Sequence, residues 1–256
     1  MRALLRYERH TQLRRWIDEQ GVARVGELSA RFGVSEATIR RDLEHLDSQG
    51  LVRRDHGGAV RADVRSRQPP VLQRMTEQMA EKERIGRLAA GLVRAGETIF
   101  IGSGTTTMAV ARNLEGIEHL TVITNALNIA NELLHRTGIS LIVIGGQVRD
   151  SELSLIGPLT EQALKDLRTD KVFLGIGSVN IRDGLTNDHL PELTTDRAII
   201  GIASELILVA DHTKLGSVST SRVAPVTAVN ILVTDTGAPP EMIQELETLG
   251  VKVLLA

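Results

Sequence analysis

Two groups of residues in this 256-residue chain have types and spacings suited to holding anions. The first is Ser35, Thr38, Arg40 and Arg41, with Glu36 and Ala37 on or beside the same outer face, followed by Arg53, Arg54, His56 and Gly57. Arginine can grip guanine O6 and N7 through both ends of its guanidinium, or clamp a phosphate. Ser35 and Thr38 can donate to phosphate where a helix begins and its first amides are free. The second group is Ser103-Gly104-Thr105-Thr106-Thr107, in the run IFIGSGTTTMAVARNL. It offers unpaired N–H groups, hydroxyl donors and a helix N-terminus, a combination that binds phosphate. It is neither a Walker loop, because no Gly-Lys-Ser/Thr follows, nor a dinucleotide fingerprint, because the third glycine is absent. No cofactor is implied.

A Gly/Thr loop alone is also an ordinary strand-to-helix turn, so its neighbours decide. Thr124-Asn125 follows LTVI, and Gly145-Gly146 then Arg149 follow LIVI. Gly177-Ser178 and Asn180 follow FLGI, while Asp211 and Lys214 follow LILVA. Open α/β sheets bind ligands outside the carboxyl ends of their strands. Five polar sets at expected strand ends therefore point to one site, with Ser103 to Thr107, Asn125, Gly146, Arg149, Ser178 and Lys214 as its candidate residues.

The elements that would position these residues can be read from periodicity. A helix at about 6–19 carries Leu13, Trp16 and Ile17 on one face and stops at Gly21. A second, at about 25–32, carries Val25, Leu28 and Phe32 and stops at Gly33. A third is capped by Ser35, turns Ile39, Leu43 and Leu46 inward, and ends at Gly50. Two short strands follow around a turn at His56-Gly57-Gly58. This is the layout of a helix-turn-helix with a basic wing, and the N-terminal end of its third helix would enter the major groove. A solvated arginine-rich face would explain the charge alone. The turn, cap and inward stripe together favour DNA reading.

Residues 61–70 read as a linker ending in Pro69-Pro70. Beyond it, 71–95 has the spacing of one amphipathic helix with Met75, Met79, Ile85, Leu88 and Leu92, its apolar face a candidate subunit contact and Met75 and Met79 candidates for helix core or helix–helix contact. Short apolar runs then alternate with helices: TIFIG, LTVIT, SLIVIGG, KVFLGIG, LILVAD, NILVTD and VKVLLA. Continuous apolar strands between helices predict a mostly parallel sheet covered on both faces. The expected organisation is a DNA-binding domain at 1–60, the linker, and an α/β ligand domain at 71–256.

Composition agrees. Residues 1–68 carry 14 Arg, no Lys and 10 acidic residues, a net of +4, while the remainder carries −6. A polyanion-binding module joined to an acidic body is the reading. There is no cysteine, which excludes disulfides, thiolate metal sites and a Cys nucleophile. The seven histidines show no metal-ligand spacing. His56 and His212 read as turn or surface residues, and Asn187, Asp188, His189 and Glu192 as a polar loop and helix cap or, alternatively, as determinants of effector specificity. The charged start lacks a signal-peptide core and no run could span a membrane, so a cytoplasmic location is expected.

VGELSARFGVSEATIRRDLEHLDSQGLVRRDHGGAV, with SEATIRRDL and RDHGGAV foremost, resembles the winged helix-turn-helix of the DeoR family of bacterial transcription regulators. The rest of the chain resembles that family's effector domain, which looks like ribose-5-phosphate isomerase. The resemblance implies DNA contacts from Ser35, Thr38, Arg40 and Arg41 and wing contacts from Arg53, Arg54, His56 and Gly57. It also implies phosphate held by Ser103 to Thr107, with Asn125, Arg149 and Lys214 lining the pocket. The implied function is a repressor of a carbohydrate-catabolism operon, relieved by a small phosphorylated sugar and working on double-stranded operator DNA as a homodimer or homotetramer. Two departures stand out. Gly102 occupies a position that is acidic in many family members. Gly177-Ser178-Val179-Asn180 lacks the acid/base carboxylates that the isomerases carry after the mid-sheet strand. That favours binding without turnover over the alternative, an isomerase- or deaminase-like enzyme carrying a DNA-binding domain.

Overall fold

The computed structural model describes residues 6–48, 52–55, 57–61 and 69–256. The chain divides into two compact units, residues 1–69 and 70–256, and most of the expected linker lies outside the described residues.

The first unit comprises α1 (Arg6–Gln20), β1 (Val22–Arg24), α2 (Val25–Phe32), α3 (Glu36–Ser48), β2 (Val52–Asp55) and β3 (Gly58–Arg61). Gly33 ends α2 in the left-handed conformation, φ 64°, which glycine adopts without the Cβ clash that other residues meet. Its amide closes on Ser29 O at 3.0 Å. The inward stripe of Ile39, Leu43 and Leu46 packs with Leu13, Ile17, Val25 and Leu28 in one small core. Trp16 is only half-buried, with the Arg31 guanidinium 3.6 Å above its ring. The wing is a three-stranded antiparallel sheet, order β1-β3-β2. Its third strand, β1, was not foreseen, because three residues are too few to show a period of two. Gly58 is required there: a Cβ would lie 2.3 Å from Ala23 O on β1.

The second unit begins with α4 (Val71–Arg74) and α5 (Met79–Ala90). The single helix expected over 71–95 is thus broken at 75–78 and ends five residues early. Gln78 takes a left-handed φ of 47°, and the Lys82 ammonium accounts for the turn: it is buried and capped by Arg74 O at 2.8 Å and Glu77 O at 2.6 Å. Met79, expected to pack as helix core or between helices, is instead 67% exposed, because it starts a new helix after the break.

The strands and helices that follow are β4 (Thr98–Ile101), α6 (Thr105–Arg112), β5 (Leu120–Thr124), α7 (Leu127–Leu133), β6 (Ile139–Val143), β7 (Gln147–Arg149), β8 (Ser154–Ile156) and α8 (Pro158–Leu164). Then come β9 (Thr169–Leu174), β10 (Ser178–Asn180), β11 (Gly184–Asn187), α9 (Leu193–Gly201), β12 (Ala203–Val209), β13 (Ser221–Ala224), β14 (Ile231–Thr234), α10 (Pro240–Thr248) and β15 (Lys252–Leu255). The main sheet is wholly parallel, order β15-β14-β12-β9-β4-β5-β6. Its buried strands are continuous runs of Ile, Leu, Val and Phe, and two apolar clusters fill the unit, one containing Phe100, Val172 and Leu208, the other Ile99, Phe173 and Ile207. The apolar face of α5 packs on the unit's own sheet and on α6: a Cβ at Gly86 would lie 2.5 Å from the Ala109 backbone. That face is therefore internal, not the subunit contact its sequence suggested. A β10-β11-β13 sheet and a β7-β8 hairpin, both antiparallel, were not anticipated. Among the described residues no helix is long and apolar enough to cross a membrane.

Candidate functional site

In the first unit, Ser35 caps α3. Its Oγ accepts from the Thr38 amide at 3.2 Å and lies 2.9 Å from Thr38 Oγ1. Glu36, Ala37, Arg40 and Arg41 are exposed beside it. Glu36 and Arg40 pair at 2.7 Å, one helical turn apart and both exposed, a contact too solvated to hold Arg40 away from DNA. Arg41 forms no ion pair among the described residues. Arg54, on β2, donates its amide to Asp47 at 3.1 Å and its guanidinium to Glu44 at 3.3 Å, which ties the wing to α3. Arg53 also lies on β2, and Gly57 is exposed at the turn with φ 90°; His56 lies outside the described residues. Beneath the helix, Asp42 is buried against Arg9 at 2.6 Å and His10 at 2.8 Å. Burial alone would raise its pKa, but hydrogen bonds from Arg9 and His10 hold it below the ordinary carboxylate value.

In the second unit, β4 and β9 are neighbours, but the chain leaves β4 toward β5 and β6 and returns to β9 on the other side. Their carboxyl ends therefore form the topological switch point of the sheet, the position at which open α/β sheets bind ligands. Ser103 to Thr107 follow β4 there. Gly102 donates to Phe173 O at 2.9 Å, and a Cβ at Gly175 would lie 3.4 Å from Ser103 O, so the two strand-end loops run side by side. Thr107 is buried and donates to Gly104 O at 3.0 Å, fixing the turn into α6. The amides of Ser103, Gly104, Thr105, Thr106 and Thr107 and the hydroxyls of Thr105 and Thr106 have no acceptor among the described residues.

Thr124 Oγ1 donates to Ile101 O at 2.7 Å, joining the end of β5 to that of β4. Asn125 follows, 2% exposed; its Nδ2 donates to Leu155 O at 3.0 Å, while its Oδ1 is buried without a donor among the described residues. Gly146 packs against Thr160, whose Oγ1 would lie 2.0 Å from a Cβ there. Ser178 Oγ lies 2.9 Å from Ser219 Oγ. Lys214 ends a short turn after β12, capped by Asp211 through the Thr213 amide at 3.1 Å. Its ammonium has no hydrogen bond or ion pair among the described residues. Burial lowers its pKa, against the pull of Asp211 and with the push of Arg74. Arg149 sits on the β7-β8 hairpin and is engaged by Glu192 and, at 3.2 Å, by Ser151.

Several charged residues here escaped sequence reasoning or take a role that it left open. Lys82 is buried near Lys214 and Asp211; burial lowers its pKa, opposed by Asp211 and reinforced by Lys214. Arg74 pairs with buried Glu152. Glu192, for which the sequence leaves loop, cap and effector specificity open, is buried and receives Arg149 and the Ser154 hydroxyl. Asp196 is buried on α9, and Asn187 bridges it to the switch point, donating to Asp196 at 2.6 Å and accepting from Gly177 N at 2.8 Å. Burial and the neighbouring Glu192 push Asp196 well above the usual carboxylate range; burial also raises Glu192, against Arg149. Carboxyl groups thus do reach this end of the sheet, from α9 and the turn before it instead of from 177–180. One signal was available for Lys82: it lies three, four and seven residues before Ile85, Gly86 and Ala89, on the apolar stripe of α5, where a lysine needs a reason.

Comparison with known proteins agrees with both halves of this description. The model of the DeoR-like helix-turn-helix domain matches residues 9–65, and that of the DeoR C-terminal sensor domain matches residues 77–236. The transcriptional repressor AccR of Agrobacterium fabrum is 38% identical over 86% of this chain and 85% of its own length. The glycerol-3-phosphate regulon repressor of Escherichia coli K12 is 35% identical over 93% of this chain and 94% of its own. A solved ribose 5-phosphate isomerase from Methanocaldococcus jannaschii aligns with 54% of this chain and 55% of its own at 18% identity and TM-score 0.40, too loose a match to carry an argument. With a sensor model covering more than half its length and relatives matched almost end to end, the chain belongs to the DeoR family of DNA-binding transcriptional regulators.

Proposed function

We infer that this regulator is a repressor whose α3 and wing read double-stranded operator DNA, and whose second unit senses a small phosphorylated sugar or polyol that releases the operator. The observation that carries the ligand class is the switch-point loop, Ser103 to Thr107, with its run of unaccepted amides and hydroxyls at the start of α6. Such an N-terminus favours a phosphate by both hydrogen bonding and helix dipole. Lys214, without an ion pair among the described residues, supports the same reading, and Asn125 Oδ1, buried without a donor among them, suits a ligand hydroxyl. The name of the glycerol-3-phosphate regulon repressor is consistent with a phosphorylated polyol. Ligand binding must differ between the operator-bound and free states, with a coupling of ~1–3 kcal/mol typical.

Thermal-shift titration against a panel of sugar and polyol phosphates tests this, paired with operator binding in the presence of each hit. One phosphorylated ligand is expected to raise the unfolding temperature and weaken operator binding. Thr106→Ala combined with Lys214→Ala removes both effects while leaving operator affinity intact. A response that survives both substitutions, or consumption of the ligand by purified protein, overturns the reading.

A further inference from the structure

Among the described residues, four buried side-chain nitrogen or oxygen atoms lack a hydrogen-bond partner, and three of them belong to Asn125 and Asn128. An unmet buried polar group costs free energy, so a cluster of them calls for a reason. The Asn125 amide cannot be turned round to satisfy itself. Its Nδ2 donates to Leu155 O at 3.0 Å, and the Leu155 amide donates to Asn125 O at 2.7 Å, so Oδ1 is fixed at the unpartnered end. Both asparagines lie beside the Ser103 to Thr107 loop. Strands β4 and β5 are parallel neighbours, so α6 and α7, which follow them, both start from the carboxyl end of the sheet. The two helices pack in one apolar cluster that includes Met108, Ala111, Ala126 and Ile129, and Arg112 of α6 reaches Glu132 of α7 at 3.7 Å. One helical turn nearer the strand ends, the same two faces carry Met108 and Asn128. The next turn on α6 is Thr105, whose hydroxyl has no acceptor among the described residues.

We propose that Asn128, acting with Asn125, determines effector specificity by reading hydroxyl groups, and that the ligand carries at least two hydroxyls close to its phosphate. The inference rests on the reading of Ser103 to Thr107 as a phosphate loop. The unmet atoms select the ligand class. Asn125 Oδ1 and Asn128 Oδ1 need donors, and Asn128 Nδ2 needs an acceptor. A carboxylate or an ionised phosphate offers acceptors alone and would leave both oxygens unmet. An alcohol hydroxyl donates and accepts, so two hydroxyls can serve all three atoms. A site built to bond hydroxyls rejects an analogue that lacks them, because its own buried groups then stay unpaired. The class is therefore a polyhydroxy phosphate ester, and simple alkyl phosphates and phosphorylated keto acids are excluded.

Calorimetric titration of the full chain with ethyl phosphate, glycerol 3-phosphate, glucitol 6-phosphate and unphosphorylated glucitol tests this. At least one hydroxylated ester is expected to bind about tenfold or more tighter than ethyl phosphate. Asn128→Leu is expected to cut that preference below about threefold. It should do so without lowering the unfolding temperature of the unliganded protein, because it removes an unmet amide and no bond. Thr106→Ala is expected to weaken the hydroxylated and ethyl esters alike. A wild type that binds no hydroxylated ester more tightly than ethyl phosphate, or an Asn128→Leu protein that keeps the full preference, overturns the proposal. Should Asn128→Leu fail to unfold cooperatively, the smaller Asn128→Ala decides by the same ratio. The two readings fail separately. Esters held through Thr106 with no preference for hydroxyls remove the hydroxyl reading alone. Glucitol that binds through Asn128 as tightly as its phosphate removes the phosphate reading alone.

Discussion

Two buried aspartates show how environment sets the sign of the same chemical change. Asp42 sits between Arg9 and His10, and these partners hold its pKa below the ordinary value despite burial. Its stabilising contribution is therefore complete above about pH 4 and is lost as pH falls through its depressed folded pKa. Asp196 has an amide donor, Asn187, and a carboxyl neighbour, Glu192, and its pKa is raised. The fold disfavours its ionised form, so stability declines as pH rises above about 4, until the raised folded pKa is passed. Asp42→Asn should then destabilise the first unit by about 1–3 kcal/mol, because it removes the carboxylate charge that Arg9 and His10 hydrogen-bond. Asp196→Asn should leave the second unit's stability at pH 7 unchanged or higher. Chemical denaturation of each variant at pH 7 checks both, and a loss of similar size in the two would refute the contrast.

At the scale of elements, α5 illustrates a local preference reversed by packing. Gly86 lies inside a helix, where alanine is ordinarily better by about 1 kcal/mol. Its Cα faces the Ala109 backbone of α6 so closely that a Cβ would lie 2.5 Å from it. Gly86→Ala is expected to destabilise the second unit by about 1–3 kcal/mol through overpacking, and an increase in unfolding temperature would show that the helices separate freely. The break before α5 has a similar origin. Periodicity alone continued the helix through 75–78, but the Lys82 ammonium recruits the Arg74 and Glu77 carbonyls. Burying a lysine without partners would be far more unfavourable than interrupting a helix.

For the whole molecule, the near-neutral total charge conceals a +4 DNA-reading segment. Operator binding should weaken steeply as salt rises, because neutralised phosphates release counterions. Arg41, exposed and without an ion pair among the described residues, is the sharpest probe. If it contacts phosphate, Arg41→Ala lowers the salt slope by about one; if it reads a base, it costs about 1–3 kcal/mol and relaxes specificity at that position. Operator titrations at several salt concentrations separate these outcomes, and an unchanged affinity and slope would remove Arg41 from the interface.

The sequence by itself determined the helix-turn-helix and the strand-loop-helix of Ser103 to Thr107. Their signals are local: a left-handed glycine, a serine cap, an inward stripe spaced by helical turns, and apolar runs that must be buried on both faces. Those requirements are met within a few tens of residues, so they are legible without knowing the partner. Only the tertiary structure decided the strand order that sets β4 beside β9, the pairing of Arg74 with Glu152 and Arg149 with Glu192, and the arrival of Asp196 at the switch point. These contacts join residues far apart in the chain, and their energies depend on shared desolvation. A charge on one element becomes tolerable only when another element supplies its partner, and no periodicity within either element records that agreement.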